Sequence, residues 1–396
     1  MQRTEKYFEN DAFRKTAAGV ILAAEADAKT GGGRIALDGT VFYPEGGGQP
    51  ADRGTLTLAD GTVLHVTDVH ETNGIIWHTV DALPETAQPG AAVTGTIDWE
   101  WRFDKMQQHT GEHILSGILH QMFGAENVGF HIGSDAVRMD TSVPISAEGL
   151  REAELAANRI IWENVPVLIT YPTPEELAAL TYRSKKEIAG QVRIVTIPGA
   201  DICACCGTHV SNTGEIGLIK IFSCVKFHDG VRLELLCGRR ALAYLSEIAE
   251  QNRRVSGLLS AKPLETAAAV RRLLDAEAAQ KQRAAGLEEA VFAQKAQALA
   301  GAGNVLLFEP AMNPDSLRRL TDLVMTACGG RAAVFAGSDA DGYKYAVGEQ
   351  DGDLRQLVKE LNAQLHGRGG GKPFFAQGSV SASRAAIEAF FRERGE

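Results

Sequence analysis

The chain has 396 residues, of which 44% are hydrophobic and 23% charged, and its formal net charge is −10. This length predicts two or three domains, and the composition is that of a folded protein rather than a disordered one. The negative charge excludes a protein that coats nucleic acid by bulk attraction, although it is compatible with a local basic groove. No apolar stretch approaches the ~20 residues of a membrane-spanning helix, and the N-terminus lacks the apolar core of a signal peptide. We therefore expect a cytoplasmic protein with no membrane partner.

Residues 1–95 predict a small β-barrel, because short apolar β segments alternate there with Asp-Gly and Asn-Gly turns. The pattern changes in residues 96–238. Helices are predicted over 104–123 and 147–163, and strands in VPVLITYP and EIGLIKIFSCVKF. This mixture indicates an α+β domain.

Residues 239–300 are rich in Ala, Leu, Glu, Arg and Gln, which favours long helices. Pro263 predicts the end of a first helix, and a second one follows over 264–299. The first helix carries the seam of a short coiled coil, with spacings of three and four between Leu245, Ile248, Asn252, Val255 and Leu259. The seam is compatible with an intramolecular helical hairpin and with a homodimer contact.

Residues 301–396 alternate predicted strands and helices, which is typical of a small α/β domain. The predicted fold class is thus α+β multidomain, with a barrel, an α+β domain, a helical linker and a C-terminal α/β domain.

His109 and His113 lie four residues apart in a segment whose apolar residues recur with helical spacing. On a helix, such a pair projects from one face, where both imidazoles can reach one metal ion. Without further ligands, two surface histidines on a solvated helix would be the favoured interpretation.

A second pair, Cys205 and His209, follows with C-x3-H spacing, and Gly207 between them allows a tight turn. The two pairs together supply three histidines and one cysteine, and we predict that they share one metal ion.

Spacing alone leaves two alternatives open. Cys203 and Cys206 form a C-x2-C pair, which is compatible with a cysteine-rich structural site. The run His109–His113 also matches H-x-x-E-H, a metallopeptidase motif in which Glu112 would be the general base.

Four segments, in this order, resemble known proteins: TVFYPEGGGQPADRG, HTGEHIL, CCGTHV and GRGGGKPFFAQGS. The first three resemble the editing half of alanyl-tRNA synthetase and its free-standing relatives, the AlaX proteins. The fourth resembles the glycine-rich segment of the DHHA1 domain, which ends that synthetase and the long AlaX form.

The resemblance implies Zn²⁺ ligands in HxxxH and CxxxH motifs, carried here by His109, His113, Cys205 and His209. It gives no support to Glu112 as a peptidase base, and we keep Glu112 as a candidate helper that lies off the metal-facing stripe. Cys206 is then a neighbour of the site and not a ligand.

The function implied by the resemblance is hydrolysis, in trans, of mischarged tRNA(Ala), chiefly Ser-tRNA(Ala) and also Gly-tRNA(Ala). The class II aminoacylation core has no counterpart in the sequence, so we expect no aminoacylation. Zinc could polarise the ester carbonyl, activate a water or position the substrate. The alternatives are a zinc-stabilised tRNA-binding module without catalysis and a metallopeptidase.

Two segments are candidates for substrate contact. The loop Gly46, Gly47, Gly48 and Gln49 lacks side-chain bulk and offers backbone N–H groups, so we expect it to approach the acylated ribose. By resemblance, Thr40 contacts the amino-acid side chain. The simpler interpretations are that the glycine loop is an ordinary turn and that Thr40 is a strand residue of high β propensity.

For the tRNA, we expect contacts from the basic residues Arg138, Lys220, Arg368 and Lys372. Further basic candidates are Lys185, Lys186, Lys226, Arg239 and Arg240. Each of them is equally compatible with a solvated surface.

Overall fold

A computed structural model describes residues 2–27, 31–184 and 190–394. The chain divides into two compact units, Met1–Asn252 and Arg253–Glu396. Among the described helices, none combines the length and the apolarity that a membrane crossing requires.

The first unit begins with a closed barrel of six strands. Its elements in chain order are β1 (Glu5–Lys6), α1 (Tyr7–Asn10), β2 (Thr16–Ala26), β3 (Gly33–Leu37), β4 (Gly39–Thr40), β5 (Gly54–Leu58), β6 (Val63–Thr72), β7 (Ile75–Val80) and β8 (Ala92–Ile97). The barrel order is β2-β3-β7-β6-β5-β8, and β1 pairs in parallel with β4 in a separate ladder. Alternate residues of β7, namely Ile76, His78 and Val80, are buried, as the period of two in a strand requires.

Helix α2 (Trp99–Phe123) follows the barrel and is capped by Asp98, whose carboxylate accepts a hydrogen bond from the backbone N–H of Trp101 at 3.1 Å. From Arg102 to Leu119 the helix is buried, with Phe103 only partly so. Because its buried residues include many polar ones, each of them needs a hydrogen-bond partner from the surrounding structure.

The remainder of this unit packs around α2. Its elements are β9 (Asn127–Ile132), β10 (Val137–Thr141), α3 (Ala147–Glu163), β11 (Leu168–Thr170), α4 (Pro174–Ala179), β12 (Ile194–Ile197), β13 (Asp201–Ala204), β14 (Ile219–Phe227), β15 (Gly230–Cys237) and α5 (Gly238–Leu258). They form an antiparallel sheet of order β14-β15-β10-β9 and a smaller sheet of order β11-β12-β13.

A buried ion pair fixes the start of α2 against the barrel. Both Arg102 and Asp52 are fully buried, and the Arg102 Nε lies 3.0 Å from each oxygen of the Asp52 carboxylate. Arg102 also donates to the carbonyls of Ala12 and Val41, while Asp52 accepts from the backbone N–H of Tyr43 at 2.6 Å. With these partners the charges are compensated, and the segment that carries Gln49 is held beside the helix.

The second unit is an α/β domain. Its elements are α6 (Thr266–Ala298), β16 (Gly303–Glu309), α7 (Pro314–Cys328), β17 (Gly329–Ser338), β18 (Gly342–Glu349), α8 (Arg355–Gln364), β19 (Arg368–Lys372), β20 (Phe375–Val380) and α9 (Arg384–Arg392). The sheet order is β16-β17-β18-β20-β19, with only β16 and β17 parallel. The RGGGK segment is thus an exposed edge strand and not a loop.

The predicted α+β fold with an N-terminal barrel is confirmed. Helix α5 ends before Pro263, which opens a short 3-10 helix, and α6 follows as predicted. The boundaries at residues 95, 238 and 300 stay predictions, since the chain divides into compact units only after Asn252. The homodimer contact also stays a prediction.

Candidate metal centre

The two predicted ligand pairs converge at one point. The candidate ligand atoms of His109, His113, Cys205 and His209 all lie within 4.8 Å of one another. The Cys205 Sγ is 3.6 Å from the Nε2 of His109 and 3.4 Å from the Nε2 of His209. Helix α2 supplies the first pair, and the segment after β13 supplies the second.

Gly207 allows this approach, as its position between Cys205 and His209 suggests. A Cβ atom at residue 207 would overlap the imidazole of His109. The backbone of the Cys205–His209 turn therefore lies directly against a ligand ring, where no other residue type fits.

Each imidazole is oriented by a hydrogen bond at its Nδ1. The partners are the Gln49 Oε1 for His109 at 2.8 Å, the Asp201 Oδ2 for His113 at 2.9 Å and the Thr110 Oγ1 for His209 at 3.1 Å. With Nδ1 engaged, the Nε2 of each ring is the nitrogen available for an ion. Histidine ligands of metals have this arrangement, in which the outer hydrogen bond fixes the ring and its tautomer.

These outer partners are themselves held in place. Gln49 donates to the Thr208 hydroxyl at 2.8 Å and accepts from the Thr208 backbone N–H at 3.2 Å. Asp201 accepts two hydrogen bonds from the Arg183 guanidinium, each of 2.8 Å. The Thr110 hydroxyl accepts from the backbone N–H of Val210 at 3.2 Å.

The protonation states suit a metal ion. Burial raises the pKa of the Cys205 thiol, but His109, His113 and His209 outweigh burial and hold it well below its usual value. Burial lowers the pKa of His209 to about 3, so this ring is neutral at pH 7. Thiolate and neutral imidazole are the forms that bind zinc.

His113 behaves differently from His209. Burial lowers its pKa, but the Cys205 thiolate and the Asp201 carboxylate outweigh burial and raise it well above the ordinary value. The cluster therefore favours a positive charge among its members, which is the charge that a metal ion would carry. Buried nitrogen and sulfur donors of this kind fit Zn²⁺.

The C-x2-C alternative is not favoured by the structure. Cys203 is buried on β13, where it lies near His113 and Asp201, and burial raises its pKa to about 11. Cys206 is exposed. Among the described residues, no candidate metal group contains both of these cysteines.

Glu112 is buried on α2, and its carboxylate accepts a hydrogen bond from the side-chain amide of Asn127. It belongs to no candidate metal group within the described residues. This position agrees with the expectation that its side chain lies off the metal-facing stripe.

The glycine loop lies against the metal cluster. Gly47 and Gly48 have φ values of 58° and 83°, and a Cβ at residue 48 would overlap the Phe130 carbonyl. The Gly48 carbonyl accepts from the Ile132 N–H at 2.9 Å, and the Phe130 ring is centred 5.2 Å from the His109 ring. The loop ends at Gln49, which orients His109, and it begins at Gly46, whose carbonyl accepts from the Tyr43 hydroxyl at 3.0 Å.

Thr40 is buried in the barrel and bonded to His78. The Nδ1 of His78 lies 3.0 Å from the Ile35 carbonyl, which can only accept, so Nδ1 carries the proton. The Nε2 of His78 therefore accepts from the Thr40 hydroxyl at 2.8 Å, and the Thr40 oxygen accepts from the Phe42 N–H at 3.1 Å. None of these hydrogen bonds joins Thr40 to the metal cluster.

Most basic candidates of the first unit are ion-paired. The pairs are Arg138 with Glu234 at 3.0 Å, Lys220 with Glu154 at 2.7 Å, Arg239 with Glu100 at 2.6 Å and Arg240 with Asp104 at 2.6 Å. Lys185 and Lys186 lie outside the described residues. The charges of the four paired residues are thus partly compensated within the protein.

Arg368 and Lys372 lie at the two ends of the edge strand β19 and are exposed. Neither makes an ion pair within the part of the chain that the structure describes. A groove of about 350 Å³ between β19 and α8 is lined by Lys372, Lys359, Arg355 and the three glycines of the strand.

Sequence reasoning named Gln49 as a site residue but missed Thr110, Asp201 and Arg183, which also hold the ligands in place. Thr110 directly follows His109, and Asp201 lies four residues before Cys205, so a search for hydrogen-bonding residues near each ligand could have found both. Arg183 carries no such signal, since it reaches the site only through Asp201.

We expect Asp201→Asn and Arg183→Gln each to weaken zinc binding by about 10- to 100-fold, because each change removes part of the support of His113. Competition with a chromophoric chelator measures the affinity. Arg232→Gln is the matched control, since Arg232 pairs with Asp140 on the antiparallel sheet. Unchanged zinc affinity in both variants would contradict this role of Arg183 and Asp201.

His78 predicts a loss of stability in acid. Burial lowers its pKa from 6.5 to about 4, so the unfolded chain binds this proton more readily. The contribution of neutral His78 to the free energy of unfolding is complete above pH 6.5. As the pH falls toward 4, the free energy of unfolding decreases by roughly 3 kcal/mol. Denaturant titrations at pH 7 and pH 4 should show a smaller decrease in unfolding free energy for His78→Gln than for the wild type. An equal decrease in both proteins would show that His78 is not the titrating group.

Three family models match the chain. The Threonyl and Alanyl tRNA synthetase second additional domain matches residues 192–256, the DHHA1 domain matches 300–393, and the class II (A) tRNA synthetase model matches 4–101. The last match covers the barrel. The first contains Cys205 and His209.

The alanyl-tRNA editing protein AlaX-L of Pyrococcus horikoshii is 30% identical over 370 residues, which cover 89% of each chain. The alanine–tRNA ligase of Methanothrix thermoacetophila is 33% identical over 90% of this chain and 41% of the ligase. That of Pyrobaculum neutrophilum is 31% identical over 99% of this chain and 44% of the ligase. The chain thus spans about two fifths of these ligases but nearly the whole of AlaX-L.

These alignments extend over the barrel, the metal cluster and the C-terminal sheet, and the chain belongs to the AlaX-L family of alanyl-tRNA editing proteins.

Proposed function

We propose that the protein is a zinc-dependent aminoacyl-tRNA deacylase that acts in trans on mischarged tRNA(Ala). Ser-tRNA(Ala) is the chief substrate and Gly-tRNA(Ala) the second. The observation that carries this proposal is the buried cluster of three imidazoles and one thiolate, against which the glycine loop lies. Membership of the editing family supports it.

A Zn²⁺ ion held by His109, His113, Cys205 and His209 would polarise the ester carbonyl, lower the pKa of a water or position the substrate. The chain itself orients the rings through Gln49, Thr110 and Asp201. The glycine loop removes side-chain bulk beside His109, so that the acylated ribose can approach the cluster.

Serine differs from alanine by one hydroxyl group, which a polar editing site can bind. We assign this contact to Thr40, on the resemblance to the AlaX family. Its proton is donated to His78, so the Thr40 oxygen is an acceptor, and a serine hydroxyl would be the donor. Alanine offers no such donor and is bound more weakly.

We propose further that the protein does not charge tRNA. The segment that matches the class II (A) synthetase model is the six-stranded barrel with its flanking residues. The rest of the chain forms the α+β part of the first unit, the two long helices and the DHHA1 domain. An aminoacylation assay with alanine, ATP and tRNA(Ala) is expected to give no charged product.

Cys205→Ala and His109→Ala are expected to lower the deacylation rate of Ser-tRNA(Ala) by more than about 100-fold, because each removes a zinc ligand. Deacylation of Ser-, Gly- and Ala-tRNA(Ala), followed with and without a chelator, measures the effect and the preference. The chelator should abolish wild-type activity, and added Zn²⁺ should restore it.

Glu112→Gln is the matched control, since it changes a neighbouring residue on α2 that belongs to no described metal group. Retained deacylation in this variant excludes Glu112 as a base. If the wild type binds tRNA but does not shorten the lifetime of the ester, the protein is a zinc-stabilised binding module instead, and the proposed activity is wrong.

We propose that Arg368 and Lys372, at the two ends of β19, bind tRNA phosphates, and that Lys372 does so in the groove between β19 and α8. Their exposure and the absence of ion pairs within the described residues support this role, whereas Arg138 and Lys220 are weaker candidates because carboxylates already neutralise them.

Arg368→Gln and Lys372→Gln should each weaken tRNA binding and reduce the slope of log Kd against log salt by about one, because one phosphate contact is lost. Filter binding across a salt series measures both quantities. Lys344→Gln is the control, because Lys344 is an exposed lysine of the same sheet on β18. An unchanged slope for both variants would exclude β19 as a phosphate site.

A further inference from the structure

Arg193 lies directly against the Cys205–His209 turn. Its side chain is buried, with 4% of the residue exposed. The NH1 group donates to the Cys205 carbonyl at 2.7 Å, and the Cys205 N–H donates to the Arg193 carbonyl at 3.1 Å. The guanidinium is therefore bonded to the backbone of a candidate metal ligand, although it is not a ligand itself.

The charge of Arg193 has no carboxylate partner. Arg102, which is buried, and Arg183, which is partly buried, each pair with an aspartate. Arg193 makes no ion pair within the residues that the structure describes, and its buried Nε–H has no acceptor. A buried cation without a paired carboxylate and a buried N–H without an acceptor both destabilise the folded protein. In native proteins such a group marks a place where a water, an ion or a ligand can complete the hydrogen bonds.

The guanidinium lies close to the surface, beside two accessible side chains. The Tyr171 hydroxyl interacts with it, and Tyr171 is 39% exposed. Cys206 is also exposed. Burial raises the pKa of both Tyr171 and Cys206, while the nearby positive charge of Arg193 acts in the opposite direction. Arg193 thus occupies a position between the metal cluster and the surface at Tyr171 and Cys206.

We propose that Arg193 binds the phosphodiester that joins the acylated terminal nucleotide to the rest of the RNA strand. This inference rests on the proposed function, in which the ester at the terminal ribose reaches the metal cluster. The phosphodiester next to that ribose is the nearest permanently anionic group of the substrate. A guanidinium offers planar N–H donors that match phosphate oxygens, and a phosphate would supply both the missing charge and the missing acceptor.

The hydrolysis of two different esters distinguishes a phosphate contact of Arg193 from its other possible roles. Ser-tRNA(Ala) contains the phosphodiester, whereas 3′-O-seryl-adenosine carries the same ester on the same nucleoside without any phosphate. With zinc-saturated protein, Arg193→Gln should raise the KM for Ser-tRNA(Ala) by about 10- to 100-fold and leave kcat nearly unchanged, because a charged hydrogen bond in the ground state is lost. For seryl-adenosine, both constants should stay at the wild-type values. Arg193→Lys should recover part of the KM, because the charge is kept.

The matched control is Arg183→Gln, which removes a partly buried arginine beside the cluster. Since Arg183 acts through Asp201 and His113, Arg183→Gln assayed without added Zn²⁺ should lower kcat by the same factor for both esters, through loss of zinc. Zinc content, measured for every variant, separates a distorted Cys205 turn from a lost phosphate contact.

Three results would overturn the inference. An equal fall in kcat for both esters in Arg193→Gln would assign Arg193 to the charge that develops on the ester oxygen. A loss of zinc that accounts for the whole effect would make it a positioning residue for Cys205. No change with either ester would mean that water, and not a phosphate, accepts the hydrogen bond of the guanidinium. If the wild type hydrolyses neither ester, the proposed function fails, and the Kd of uncharged tRNA(Ala) for the wild type and Arg193→Gln still tests the phosphate contact.

Discussion

The burial of polar side chains along helix α2 is the constraint on which the first unit depends. A buried polar group without a partner is costly, so every such side chain on α2 requires one from another element. Arg102 takes Asp52 from the barrel, Gln108 bonds the backbone of Cys237 at the end of β15, and His113 takes Asp201. The helix therefore fixes the position of the barrel, the sheet and the Cys205–His209 turn with respect to one another.

The three imidazoles are held with unequal strength. Gln49 and Thr110 are neutral, whereas Asp201 is a carboxylate whose charge is balanced by Arg183. Hydrogen bonds to charged groups contribute more than those between neutral groups, so His113 is the most firmly oriented ligand. Arg183 also donates to Ser116, one turn further along α2, which joins this support to the helix itself.

The sequence was sufficient to predict the ligand pairs, because i,i+4 spacing on a helix and C-x3-H spacing around a glycine are local patterns. The glycine loop was predicted to approach the acylated ribose because it lacks side-chain bulk, and that role stays a prediction, although the loop does lie against the cluster. The function of Gln49 was not predictable, because its bond to His109 joins residues 60 positions apart. In the RGGGK segment, local sequence preference gives the wrong structure. Glycine has low β propensity, yet the ladder with β20 makes this segment a strand, since tertiary pairing outweighs local preference.

The order of the ligands along the chain has a consequence for biosynthesis. The two pairs are separated by 96 positions between His109 and Cys205, and Gln49 precedes His109 by 60. On the ribosome, the barrel and the helix emerge first, and the complete coordination set exists only once His209 has left the exit tunnel. Metal capture is thus a late event, and a truncated nascent chain would offer only an incomplete chelate from α2.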